Sequence, residues 1–172
     1  MMTLATGKNN FRRAFTLIEL VLVMALIVIA VSMIAPRMAN FIRGRALDSE
    51  ARRLLALMHA GQSRAVSEGA PMMLWVNAPN DEYGLAAETS GANGDAQAEE
   101  LPLDSTLQIS VANLGTGTQT TFKNLPAIKF LADGTIDENS PQTIQLMDSA
   151  GFSRWLVETP LRTGYEIDDS PK

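Results

Sequence analysis

Apolar and polar positions fall into three patterns along the chain. Phe15 to Ala35 is a 21-residue apolar run whose only charge is Glu19, and the basic residues before it stop at Arg13. A helix of that length rises about 31 Å, close to the roughly 30 Å of a bilayer's hydrocarbon core. From Arg37 to Ser67 the pattern becomes amphipathic. Leu47, Ala51, Leu54, Met58, Gln62 and Ala65 recur at helical spacing and Leu55 widens the stripe, while Arg45, Asp48, Arg52 and Arg53 lie to the side or opposite. After Met72 helical spacing gives way to short apolar or alternating runs separated by turn residues.

These patterns predict one long helix followed by a sheet-rich region. Pro36 removes a backbone hydrogen bond and predicts a kink in a helix that continues beyond it. Gly69 and Pro71 supply the stop, Gly as a C-terminal cap and Pro as a barrier to continuation. A straight helix over 15–67 would be roughly 80 Å long, half in lipid and half embedded in a globular head. Strands are predicted at 73–77, 83–87, 106–111, 118–122, 127–131, 143–147, 153–158 and 163–167, with turns at 78–81 and at Asp133-Gly134. Residues 89–100 hold almost no large apolar side chain and predict a mobile exposed loop. Trp75 and Trp155, on strand-like segments, are expected in the core. One helix followed by many strands is an α+β order, not an alternating βαβ one.

A carboxylate inside an apolar span needs a reason. Near the bilayer centre a charge costs about 2.5–3.5 kcal/mol even on the lenient insertion scale, which makes Glu19 a functional candidate. A signal peptide has a shorter apolar core, a plain anchor leaves Glu19 unexplained, and a soluble core helix is shorter than this run. The positive-inside count is nearly even, because Lys8, Arg12 and Arg13 precede the span and Arg37, Arg43 and Arg45 follow it. Those following arginines, with Arg52 and Arg53, suit either lipid phosphates and acids of a neighbouring molecule or a solvated helix face.

Composition narrows the chemistry. The 172 residues suit one domain plus an anchor, and the absence of cysteine removes disulfides, thiolate metal sites and thiol nucleophiles. The net charge of −5 would become −8 on loss of Lys8, Arg12 and Arg13, and from Glu68 onward 5 basic face 16 acidic side chains. So acidic a head repels phosphate backbones, and no nucleic-acid partner is expected. His59 is the only histidine, no G-x-S-x-G is present, and Gly115-Thr116-Gly117 lacks the Lys and helix of a phosphate loop. The pairs Asp81-Glu82, Glu99-Glu100, Asp137-Glu138 and Asp168-Asp169 show no calcium-loop spacing and read as solvated surface. No enzyme activity, cofactor or metal is expected.

Ala14-Phe15-Thr16-Leu17-Ile18-Glu19-Leu20 resembles the cleavage and methylation signal of type IV prepilins and type II secretion pseudopilins. The resemblance implies cleavage by a prepilin peptidase between Ala14 and Phe15 and N-methylation of Phe15. It also implies that Glu19 sets subunit registration during assembly, beside the Phe15 amine of a neighbour. The family usually has Gly where this chain has Ala14. Further on, Ala65-Val66-Ser67-Glu68-Gly69-Ala70-Pro71-Met72-Met73-Leu74, Ile128-Lys129-Phe130-Leu131-Ala132-Asp133-Gly134 and Thr163-Gly164-Tyr165 resemble segments of the GspH/FimT minor pseudopilin family. Tyr165 stands where that family commonly has a basic residue.

The resemblance implies a pilin-like lollipop: a long N-terminal helix, transmembrane then amphipathic, packed on an antiparallel two-sheet head. Residues 1–14 would be the leader, 15–35 the transmembrane segment, 36–68 the periplasmic helix and 69–172 the head. The implied function is that of a minor pseudopilin near the tip of a type II secretion pseudopilus. Its partners would be prepilin peptidase, other major and minor pseudopilins, an inner-membrane assembly platform and lipid. It would be single-pass in a bacterial inner membrane, with its N-terminus cytoplasmic and its head periplasmic. A minor type IV pilin of the FimT or FimU kind, in pilus assembly or DNA uptake, is the nearest alternative. A membrane-anchored binding module that never polymerises is the other.

Overall fold

The computed structural model describes residues 15–89, 94–112 and 119–170, with the side chains of 35–43 outside the description. Helix α1 covers Leu17–Glu68, 52 residues. The chain divides into two units, Met1–Phe41 and Ile42–Lys172. Helix α1 continues past Pro36, as expected.

In the first unit the helix is apolar all round. Every described side chain from Phe15 to Ile34 is exposed. The window Leu17–Ile34 has a mean hydropathy of 3.0 and is long and apolar enough to cross a membrane. Its one hydroxyl beyond the first turn, Ser32 Oγ, donates to the Ile29 carbonyl at 2.7 Å, so the backbone of its own helix satisfies it.

In the second unit α1 turns one face inward. Leu47, Ala51, Leu54, Met58 and Ala65 of the predicted stripe are buried, and Leu57 joins them. Gln62, at a stripe position, donates instead to the carbonyls of Gly134 and, at 2.8 Å, Thr163, pinning two turns to the helix. At Gly61 a Cβ would sit 2.7 Å from Leu85 Cδ1 and 3.0 Å from the Phe130 ring, so glycine sets how closely helix and strands approach. Gly69, with φ of +64°, ends the helix in the left-handed conformation the sequence predicts.

Nine strands follow: β1 (Met72–Asn77), β2 (Glu82–Ala87), β3 (Glu99–Pro102), β4 (Leu107–Ala112), β5 (Thr121–Phe122), β6 (Leu125–Phe130), β7 (Thr143–Asp148), β8 (Ser153–Glu158) and β9 (Tyr165–Asp168). Sheet A has the order β3-β2-β1-β6-β5 and sheet B the order β4-β7-β8-β9, and all strand pairs are antiparallel. One core joins α1 to both sheets, through Leu74, Val76, Leu85, Ile128 and Phe130 of A and Leu107, Ile109, Ile144, Leu146 and Leu156 of B. The α+β order and two-sheet head are therefore present as expected.

Two expectations are corrected. Glu99-Glu100, placed in an exposed loop, begin strand β3, because β2 offers a pairing edge to a segment whose own pattern does not alternate. The Asp133-Gly134 turn forms as expected, with Gly134 at φ of +85°, and Ile136 bridges back to Phe130 before the chain passes to sheet B. Trp75 and Trp155 are half-buried and lie outside the main core. Trp75 packs instead on a separate small cluster of Met73, Ala86, Phe122 and Ala127. Strand β1 is thus apolar on both faces, which explains its continuous Met-Met-Leu-Trp-Val run.

Candidate functional site

The helix start is built from Thr16 and Glu19. Thr16 Oγ1 accepts the Glu19 backbone N–H at 3.3 Å, and the Thr16 carbonyl accepts the Leu20 N–H at 3.1 Å. Thr16 therefore caps α1, and Glu19 stands in the first turn, where the positive end of the helix dipole favours a carboxylate. The sequence reading missed this cap, although Thr-x-x-Glu is the spacing of a capping box and could have marked it. Phe15, immediately before the cap, is exposed. Ala14 lies outside the described residues. Glu19 accordingly has a local reason to open this helix, whatever it meets beyond it.

The head holds its acids in structural ties. Glu50, buried in the helix stripe, accepts the Tyr83 hydroxyl at 2.6 Å and lies 3.5 Å from Arg53, which also donates to the Pro102 carbonyl at 3.2 Å. Asp95 accepts the N–H groups of Ala87 and Gln97 at 2.8 and 2.9 Å and pairs with Arg64 at 3.1 Å. Burial alone would raise the Asp95 carboxyl, but those two amides and Arg64 outweigh it and hold it below its ordinary value. Arg154 joins Asp48 of α1 at 2.7 Å to Asp169 at 3.0 Å. Arg45 and Arg52 are exposed on α1; the side chains of Arg37 and Arg43 lie outside the described residues.

No catalytic constellation assembles among the described residues. His59 is exposed beside a shallow groove with Gln62, Ser63, Val66 and Gly134. Glu158 and Glu166 line a cleft of about 380 Å³ with Gln142, Thr143 and Arg162, and no nucleophile–base pair stands there. No cluster of three or more metal-ligating side chains occurs among the described residues. Gly115-Thr116-Gly117 lies outside them. The sequence reading missed Glu50, which sits one position before Ala51 on the buried face; nothing in the local pattern marks a buried acid.

A long apolar-then-amphipathic N-terminal helix followed by two antiparallel sheets defines a pilin-like protein. The model of the prokaryotic N-terminal methylation motif matches residues 9–35. The chain belongs to the type II transport protein GspH family, whose model matches residues 50–159. No curated protein matches the chain by sequence.

Among solved structures, the minor pseudopilin EpsH from the type 2 secretion system of Vibrio cholerae superposes with a TM-score of 0.53 at 13% identity, over 72% of this chain and 96% of that one. A second EpsH structure gives a TM-score of 0.55 at 10% identity, over 74% and 96%. The type IV minor pilin FimU of Pseudomonas aeruginosa gives 0.53 at 17% identity, over 76% and 92%. At such identities the likeness is one of fold.

Proposed function

We propose that this chain is a non-enzymatic minor pseudopilin of a type II protein secretion system. The observation that carries the reading is the methylation-motif match at residues 9–35 joined to the GspH match at 50–159 in one chain. In this reading residues 1–14 are a leader removed by prepilin peptidase between Ala14 and Phe15, and the new Phe15 amine is N-methylated. Residues 15–35 hold the subunit in the bacterial inner membrane, with the N-terminus cytoplasmic and the head periplasmic. On assembly Glu19 meets the Phe15 amine of a neighbour, since a carboxylate in lipid is tolerable beside a cation and costly alone. Residues 36–68 continue the helix past Pro36, and residues 69–172 form the head. The partners are the peptidase, the assembly platform, lipid and other pseudopilins near the tip of the pseudopilus.

Sequencing the mature N-terminus tests this directly. A start at N-methyl-phenylalanine 15 is expected, and any other start overturns it. The likeness to FimU supports a second reading, a minor type IV pilin. Deleting the gene separates the two: loss of an exported protein with pili intact favours secretion, and loss of pili favours the pilus.

A further inference from the structure

The outer face of sheet A carries chemistry that the reading above does not use. Met73, Ala86, Phe122 and Ala127 are buried there, away from the core shared with α1, and Trp75 packs on them half-exposed. The strand register sets Trp75 opposite Gly84, and Gly84 opposite Glu100. A Cβ at position 84 would lie 2.5 Å from Trp75 Cζ2 and press against the Glu99 carbonyl oxygen. Glycine therefore lets the indole lie across β2 and reach towards the β3 edge. Between that edge and the Lys123-Asn124 turn opens a cleft of about 290 Å³, lined by Trp75, Phe122, Glu82, Glu99, Glu100 and Lys123 among others.

The charges around this aromatic floor are unbalanced. Glu82, Glu99 and Glu100 form no ion pair among the described residues, and of the described cations of the head only Lys123 lines the cleft. Lys129 pairs with Glu88, Arg154 with Asp48 and Asp169, and Arg162 with Glu138. Lys123 places its ammonium 5.3 Å from the centre of its own Phe122 ring. What remains is a half-open indole with Glu82 and Glu100 on its own side of the sheet, two carboxylates against the single ammonium of Lys123. Such a surface attracts a cation whose carbon stem can lie on an aromatic face.

We infer that this cleft receives an arginine or lysine side chain presented by a second protein, its stem on the exposed part of Trp75 and its charge towards Glu82 and Glu100. At about 290 Å³ the cleft stands at the lower end of the roughly 300–1,000 Å³ of whole-ligand pockets and has room for one long side chain. The same carboxylates repel anionic lipid and nucleic acid. The inference concerns the head, and it stands whether or not the chain polymerises.

The test uses the full chain in a neutral detergent with Trp155→Phe, which leaves Trp75 as its only indole. The probe is N-acetyl-tetra-arginine amide, with the uncharged tetra-citrulline peptide as control. Trp75 emission should change saturably with the arginine peptide and not with citrulline. Glu82→Gln/Glu100→Gln should weaken the apparent affinity at least tenfold. Glu138→Gln/Glu166→Gln removes the same charge elsewhere on the head and should change it less than twofold. Absence of saturation, or equal loss in both double variants, overturns the site in favour of diffuse acidity. If Trp155→Phe disturbs the fold, the Trp75 indole N–H resonance of the chain with Trp155 intact reads the same comparison.

Discussion

Tyr83 donates its hydroxyl to Glu50 Oε1 over 2.6 Å, inside the seam between α1 and sheet A. Arg53 stands 3.5 Å from the same oxygen and 6.0 Å from the Tyr83 ring centre. A carboxylate in an apolar stripe is tolerable only with such partners. Tyr83→Phe removes the short hydrogen bond to the buried Glu50 carboxylate and should destabilise the head by about 1–3 kcal/mol. Glu50→Gln keeps an acceptor for the hydroxyl and should cost less. Urea unfolding of the two variants checks the order; equal losses would sink the argument.

Both tyrosines of the chain should resist alkali. Burial first, then the Glu50 carboxylate, raises the Tyr83 hydroxyl far above its ordinary range. Burial, then Glu158, does the same for Tyr165, whose hydroxyl donates to the Pro141 carbonyl. A raised folded value means the contribution is fully present below the unfolded value of about 10 and is lost as pH rises through the folded one. Tyrosinate absorbance at 295 nm should therefore stay absent at about pH 10 and develop together with unfolding. Half of the signal arising with the fold intact would contradict this.

Glu158 works the other way. Its Oε1 is buried without a hydrogen-bond partner, and burial raises the carboxyl while Arg162 partly opposes the shift. The charged form thus weakens the fold above the raised value, and the penalty disappears below the unfolded value, where both states are protonated. Glu158→Gln should melt higher than the parent at pH 7, with the gap closing towards about pH 4. Identical melting curves at both pH values would refute it.

Arg64 holds residues 94–98 against the end of α1. Its guanidinium reaches Glu68 at 2.9 Å, Asp95 at 3.1 Å and the Gln97 carbonyl at 3.1 Å. Arg64→Ala should cost about 1–3 kcal/mol, as expected for charge-assisted hydrogen bonds, and expose this segment to limited proteolysis. Because the Asp95 carboxyl is held low, its contribution is present above the ordinary range of about 3.9 and is lost as pH falls through the folded value. Unchanged cleavage between 94 and 98 would count against the role given to Arg64.

Glu19→Ala isolates the carboxylate from the helix start. The Thr16 cap uses the backbone N–H of residue 19, so the first turn of α1 should persist. Under the proposed function the variant stays in the membrane fraction and is missing from sheared filaments. Normal incorporation would remove Glu19 from the assembly step.

What the sequence disclosed follows the range of the forces involved. The buried face of α1 from Leu47 to Ala65, the stop at Gly69 and the turn at Gly134 are local, so spacing and backbone preference exposed them. Strand β3 was not legible, because Glu99-Glu100-Leu101-Pro102 becomes a strand only by pairing with β2. The passage from sheet A to sheet B after Phe130, the burial of Glu50 and the indole of Trp75 crossing Gly84 are likewise contacts between distant segments. At the N-terminus the Thr16 cap went unread although its signal is local, and the reading of a cut site before Phe15 came from resemblance.

No residue of the helix window Leu17–Ile34 is buried. Wetting one large aliphatic side chain costs about 1.5–3 kcal/mol, and the window is made almost wholly of such residues. Under the proposed function a solitary molecule is held at its depth in lipid. It then moves outward only by trading hydrocarbon for the flank of another helix, contact for contact, which makes departure from the bilayer a collective act.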